Sequence, residues 1–168
     1  MSKIQRIDNR VLDYLLVRMK GPRMDRFMPV ITRLGNGGLI WICISLVLLL
    51  NTKHKYTGER VLASLIVGSI IANFIIKPIV GRKRPCQVMP MQTIIKRPRD
   101  YSFPSGHSLS SFSAATILFY VNPYIGMGSL VLASLIALSR VYLGVHYPSD
   151  IAAGMLLGVF ISLIVIRY

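Results

Sequence analysis

Apolar residues in this chain come in long unbroken runs separated by short charged connections. A helix needs about 20 largely apolar residues to cross a bilayer. Runs near that length lie at 38–51, 60–80, 106–121, 124–143 and 149–166, which predicts five spans. The first run is short, though the preceding MPVITRLGNGG can extend it inward, and the third and fourth are parted only by a turn around Asn122-Pro123. Because the runs are continuously apolar rather than alternating, a membrane barrel is excluded. The expected fold is all-α: a polytopic membrane bundle of about five transmembrane helices.

The opening 35 residues follow a different pattern. In DNRVLDYLLVRM, Val11, Leu12, Leu15, Leu16 and Met19 recur at helical spacing while Arg10, Asp13 and Arg18 point elsewhere. That is an amphipathic helix, lying in the membrane interface or packed on the rim of the bundle. Charge interrupts its apolar stretch and no small-residue cleavage site follows, so it does not read as a removable signal. The chain divides into an N-terminal interfacial segment, 1–35, and a membrane domain, 36–168.

Composition agrees with a membrane protein. With 53% hydrophobic and 15% charged residues and a mean hydropathy of +0.56, 168 residues carry too much apolar surface for one small soluble core. The net charge of +14 invites a nucleic-acid reading. The basic residues, however, are interleaved with the spans instead of covering a soluble domain, so anionic lipid head groups are the partner and nucleic acid is not. Cys43 falls in a span and Cys86 in a loop, which argues against a disulfide framework.

Chemistry concentrates in KPIVGRKRP at 77–85, FPSGHS at 103–108 and SRVYLGVHYPSD at 139–150. Lys77, Arg84 and Arg140 bring positive charge, and Ser105 and Gly106 bring a hydroxyl and close backbone donors. His107 and His146 can trade protons or attack phosphorus. If spans alternate direction, all of these converge on one membrane face, at the ends of the second and fourth spans and the starts of the third and fifth. Pro104 and Pro148 suit first helical turns, and two helix N-termini aimed at one point would make an anion site. Asp150 is placed to reach back four residues and hold one ring nitrogen of His146 as a donor, which leaves the other free as a nucleophile or base. Singly, each residue has a plainer role as an interface cation, a turn or a cap. Their ordered spacing is what is specific, and His54, between Lys53 and Lys55 on the opposite side, takes no part.

Lys77, Arg84 and Pro85; Pro104, Ser105, Gly106 and His107; and Ser139, Arg140, His146 and Asp150 together resemble the three-part signature of the type 2 phosphatidic acid phosphatase superfamily. The resemblance spans 77–150 in its motifs and roughly 38–166 in its helix layout. Many membrane members carry six spans, so the departure lies at the N-terminus. What the resemblance implies is an integral-membrane lipid phosphatase in which His146 attacks phosphorus to give a phosphohistidine and Asp150 orients it. His107 would protonate the leaving oxygen and then activate water, while Lys77, Arg84, Ser105, Gly106 and Arg140 bind the phosphoryl oxygens. No cofactor and no metal is implied, and the motif region supplies only Asp100 and Asp150 as carboxylates.

A serine hydrolase lacks its strand-turn-helix elbow here. A haloperoxidase of the same superfamily would be a large soluble protein. The serious alternative is a non-enzymatic lipid-phosphate binding or transport protein, for which the cations would suffice and the His146, His107 and Asp150 set would be superfluous. The expected substrate is undecaprenyl diphosphate, phosphatidylglycerol phosphate or phosphatidic acid, with the first favoured by the small size. Eight Lys and Arg in the N-terminal segment, against Lys53, Lys55, Arg60 and Arg167 on the other face, point to a cytoplasmic site. Bacterial relatives place theirs outside, and phosphate binding explains many of the loop cations. The reading is a multi-pass protein of the cell membrane with an extracytoplasmic site.

Overall fold

The computed structural model describes residues 3–90 and 93–168, and every regular element among them is helical. The α-helices are α1 (Lys3–Met19), α2 (Pro22–Leu34), α3 (Leu39–Leu49), α4 (Lys55–Ile70), α5 (Lys77–Val80), α6 (Pro85–Val88), α7 (Gly106–Val121), α8 (Pro123–Tyr142) and α9 (Pro148–Arg167). A π-helical segment, Ile71–Ile76, joins α4 to α5, and a 3-10 turn, Asn36–Gly38, joins α2 to α3. Proline and polar caps set the starts. Pro22, Pro85, Pro123 and Pro148 sit in first turns, where a missing N–H costs nothing. The Asn122 side chain accepts from the Tyr124 and Ile125 amides and so caps α8.

By length and composition three helices can cross a membrane, Lys55–Val88, Pro123–Tyr142 and Pro148–Arg167, and a bent pair raises the number to four. That pair is Pro22–Leu34 with Asn36–Leu49, which meet at 43°. The expected inward extension of the first run is therefore a broken helix. Gly37 and Gly38, at φ of 59° and 71°, supply the left-handed backbone that turns the chain there. The run expected at 106–121 is α7, a helix of 16 residues and thus about 24 Å long.

Helix α7 is the hub, packed by α4, α8 and α9. It is small or apolar on every side, and Leu109, Ser111, Ser113, Ala114, Ala115 and Ile117 are all buried. Glycines allow its neighbours to approach: a Cβ on Gly154 of α9 would lie 2.5 Å from the Ser105 carbonyl oxygen, and one on Gly158 2.5 Å from that of Leu109. Hydroxyls then fasten the seam, Ser113 Oγ donating to the Gly158 carbonyl at 3.1 Å and Ser162 Oγ to that of Ser113 at 2.9 Å. Trp41 of α3 donates its indole N–H to Ser111 at 2.9 Å from the opposite side. The N-terminal pattern does form a helix, α1, whose Leu12 packs with Val141 and Tyr147 while Ile4, Ile7, Val11 and Tyr14 stay exposed.

Candidate active site

Three segments far apart in sequence enclose one cavity of about 770 Å³. Lys77, Arg84, Gly106, His107, Arg140 and His146 all line it, so the expected convergence on one end of the bundle is what the fold produces. Ser105 and Asp150 lie directly behind, buried. Each is held by local structure. Lys77 begins α5 after the π-helical segment, and its Nζ donates to Asn73 Oδ1 at 2.8 Å. Gly81, at φ 58°, ends α5 and sends the chain toward Arg84. Ser105 caps α7, its Oγ accepting from the Ser108 amide and hydroxyl at 3.4 and 3.0 Å, and its own amide donates to the Asp150 carbonyl at 3.0 Å. That last bond locks the start of α7 to the first turn of α9.

Arg84 is the most heavily used of the three cations. Its Nε donates to the Asp100 carbonyl, one NH2 nitrogen to Asp100 Oδ1 at 2.9 Å, and NH1 to the Val145 carbonyl at 2.8 Å. NH1 also lies 2.8 Å from His146 Nε2. A guanidinium can only donate, so Nε2 carries the lone pair and Nδ1 the proton. On the other side of the ring, Nδ1 faces Asp150 Oδ2 and Ser102 Oγ, each at 3.5 Å. Burial pushes the His146 pKa down to about 3; the Asp150 hydrogen bond works against this, and the charges of Arg84 and Arg140 add to it. The imidazole is therefore neutral at ordinary pH, with the Nε2 lone pair turned to Arg84.

Arg140, almost fully buried, donates from NH1 to Thr32 Oγ1 at 2.6 Å, and its Nε has no hydrogen-bond partner. An unpaired buried guanidinium N–H is costly and points to an anionic ligand that completes it. Asp100 holds Lys77 Nζ at 2.6 Å as well as Arg84. Burial raises the Asp100 pKa, but hydrogen bonds and charge from Lys77 and Arg84 outweigh this and keep it below the usual carboxylate range. His107 Nε2 lies 3.0 Å from Asn36 Oδ1, so a proton resides on that nitrogen.

One expectation needs correcting. Two helix N-termini were expected to face the anion, yet only that of α7, through Gly106 and His107, borders the cavity. The first turn of α9 is already taken by carboxylates: Asp8 Oδ1 accepts from the Ser149 amide at 2.9 Å, and Asp150 Oδ2 accepts from the Tyr147 amide at 2.8 Å. Asp150 therefore acts as a helix cap in addition to facing His146. Sequence reasoning also left out Asn73, one helical turn before Lys77, and Asn36, Ser102, Arg82 and Asp8, polar residues whose partners are distant in the chain. No spacing rule marks them.

The chain matches the family model of the PAP2 superfamily over residues 59–168. It is 32% identical over 130 residues to an undecaprenyl-diphosphatase of Sulfolobus acidocaldarius, covering 76% of this chain and 63% of that protein's length. It is 31% identical over 149 residues to the bacitracin transport permease protein BcrC of Bacillus licheniformis, covering 86% of this chain and 73% of the relative. The crystal structure of a transmembrane PAP2 type phosphatidylglycerolphosphate phosphatase from Bacillus subtilis superposes with a TM-score of 0.81 at 24% identity, covering 99% of this chain and 86% of that one. With the three motif segments folded around one cavity and the helical frame shared throughout, the chain belongs to the PAP2 superfamily.

Proposed function

We propose that the protein is an integral-membrane phosphatase that hydrolyses the phosphate or diphosphate head group of a lipid through a phosphohistidine on His146. The observation that carries this reading is the state of His146: a neutral ring, its Nε2 lone pair fixed by the Arg84 contact at 2.8 Å and its Nδ1 proton turned toward Asp150. In the first step Arg84 turns from Nε2 to the phosphoryl oxygens, the freed Nε2 lone pair attacks phosphorus, and the bond to the lipid oxygen breaks. His107, which enters this step as the imidazolium, gives that oxygen its proton and becomes neutral, so the lipid alcohol leaves neutral, or the lipid monophosphate when the substrate is a diphosphate. Asp150 balances the positive charge that the phosphorylated imidazole acquires. Water, deprotonated by His107, then splits the N–P bond and releases inorganic phosphate.

Lys77, Arg84 and Arg140, with the Gly106 amide and the Ser105 hydroxyl, stabilise the equatorial oxygens in both steps. Asp100 must yield Lys77 and Arg84 as phosphate arrives. Neutralisation by these side chains makes a metal unnecessary. Leu65, Ala72 and Ile94 on the cavity wall suit the first part of an isoprenoid or acyl chain. Undecaprenyl diphosphate is the first candidate, supported by the name of the Sulfolobus relative; phosphatidylglycerol phosphate and phosphatidic acid follow. We further propose that α7 is a fifth membrane crossing, that α1 lies in the interface as a segment of its own with the membrane domain beginning at 36, and that the site opens on the extracytoplasmic face of the cell membrane.

A carrier or binding protein is the second reading, and the permease name of the Bacillus licheniformis relative favours it. A binder would use the cations and leave His146, His107 and Asp150 idle. The test is phosphate release by the purified protein in detergent from each candidate lipid, with EDTA, with vanadate, and with His146→Ala. Release that survives EDTA, stops with vanadate, which mimics the five-coordinate transition state, and vanishes in the variant is expected. Strict magnesium dependence, or tight binding with no turnover of any candidate, would overturn the reading.

A further inference from the structure

Arg82 stands in the same loop as Arg84, yet it does not line the cavity. Its guanidinium is turned the other way. NH1 donates to Asp150 Oδ1 at 2.6 Å and to Ser149 Oγ at 2.7 Å, and NH2 donates to Asp8 Oδ2 at 2.6 Å and to Gln5 Oε1 at 2.8 Å. The group is also stacked 4.1 Å from the centroid of the Tyr147 ring. Asp8 comes from α1 and is 2% exposed. It closes the arrangement by accepting from the Ser149 hydroxyl at 2.6 Å and the Ser149 amide at 2.9 Å.

We infer that Arg82 and Asp8 are positioning residues for the hydrolysis, which makes the N-terminal helix a working part of the active site. The inference rests on the proposed role of Asp150 toward His146. Both oxygens of Asp150 are committed, Oδ1 to Arg82 and Oδ2 to the Tyr147 amide, Ser102 and the His146 side. Such a carboxylate cannot rotate, and the ring it faces is held in one tautomer. Asp8 has a second effect. A buried guanidinium pressed on Asp150 alone would draw off the negative charge needed when His146 becomes positive; sharing Arg82 with Asp8 leaves one net negative charge in the trio. Removing Arg82 would instead leave two buried carboxylates beside Ser149 without their shared cation, a costly arrangement that would loosen Asp150.

Because neither residue reaches the cavity, they should affect turnover and not anion binding. The test uses the full chain in detergent with Asp8→Asn, Arg82→Gln, Arg82→Lys and the Asp8→Asn/Arg82→Gln pair, measuring kcat, KM, the vanadate inhibition constant and thermal unfolding. Asp8→Asn and Arg82→Gln should each lower kcat by about 10- to 100-fold with vanadate inhibition within about 2-fold of wild type. The pair should be no slower than Arg82→Gln alone, and Arg82→Lys should recover part of the rate. Folded Asp8→Asn and Arg82→Gln proteins with wild-type kcat would overturn the inference, as would loss of vanadate inhibition in step with kcat. If Arg82→Gln does not fold, the near-isosteric Asp8→Asn decides. A wild-type protein that hydrolyses no lipid phosphate would sink the proposed function itself, whereas an active wild type with unaffected variants sinks only this inference.

Discussion

Replacing Asp150 by Asn preserves its size but removes its charge and one acceptor oxygen. Since the carboxylate lies behind His146 and outside the cavity, kcat should fall by about 10²- to 10⁴-fold, as when a histidine loses its orienting carboxylate in other enzymes. The vanadate inhibition constant should stay unchanged or improve slightly. Arg140→Ala should behave oppositely, because the unpartnered Nε and its neighbours are lost to the anion; a charge-assisted hydrogen bond is worth about 1.5–3 kcal/mol, or roughly 10- to 150-fold in that constant. Should Asp150→Asn bind vanadate poorly yet turn over normally at saturation, its contact with the Tyr147 amide would be its whole role. The residues of this paragraph were legible in the sequence, since histidine, aspartate and arginine at fixed offsets around helix starts have few other uses together. Arg82 was not, although it sits between Lys77 and Arg84. Its partners Gln5 and Asp8 lie 77 and 74 positions away, and only the folded chain shows that it faces away from the cavity.

At the scale of helices, the site depends on how closely α9 approaches α7. Any side chain on Gly158 would strike the Leu109 carbonyl, a backbone atom that cannot swing aside. Gly158→Leu should therefore cost about 1–3 kcal/mol, read as a lowered unfolding temperature in detergent, and should reduce activity because the same seam fixes Ser105 against Asp150. Gly128→Ala on α8, where a Cβ meets nothing within 4 Å, is the control and should leave both quantities unchanged. Equal behaviour of the two variants would show that this seam does not set the site. Unbroken apolar runs disclosed α7, α8 and α9 within a few residues, because those runs carry almost no charged positions to confuse the pattern, whereas the run at 60–80 starts inside α4 and continues through the π-helical segment and α5. The bend between α2 and α3 was less legible. NGG reads as an ordinary turn, and nothing local says that the helices on either side combine as one bent, membrane-length pair.

For the whole molecule, the sequence pattern disclosed the convergence of three motifs at one end, since alternating spans return the chain to the same side. It could not disclose that α1 also reaches that site, because an amphipathic pattern reports which face is apolar and not what the inward polar residue Asp8 will meet. A molecule built this way is a catalyst with a covalent intermediate or a carrier that never bonds to its cargo, and one measurement separates them. Wild-type protein and His146→Ala are mixed with lipid carrying a ³²P-labelled terminal phosphate and quenched in alkali within the first turnover, conditions under which a histidine N–P bond survives. His107→Ala is run in parallel on ³²P-labelled p-nitrophenyl phosphate, whose leaving group needs no proton, so that this variant can form the intermediate but lacks the group that activates water to split it. Label retained on wild type and increased in His107→Ala, stable to base, released by acid and absent from His146→Ala, is the expected result. Hydrolysis by His146→Ala above about 1% of the wild-type rate, a barrier difference of under 3 kcal/mol, would contradict a phosphohistidine at this position.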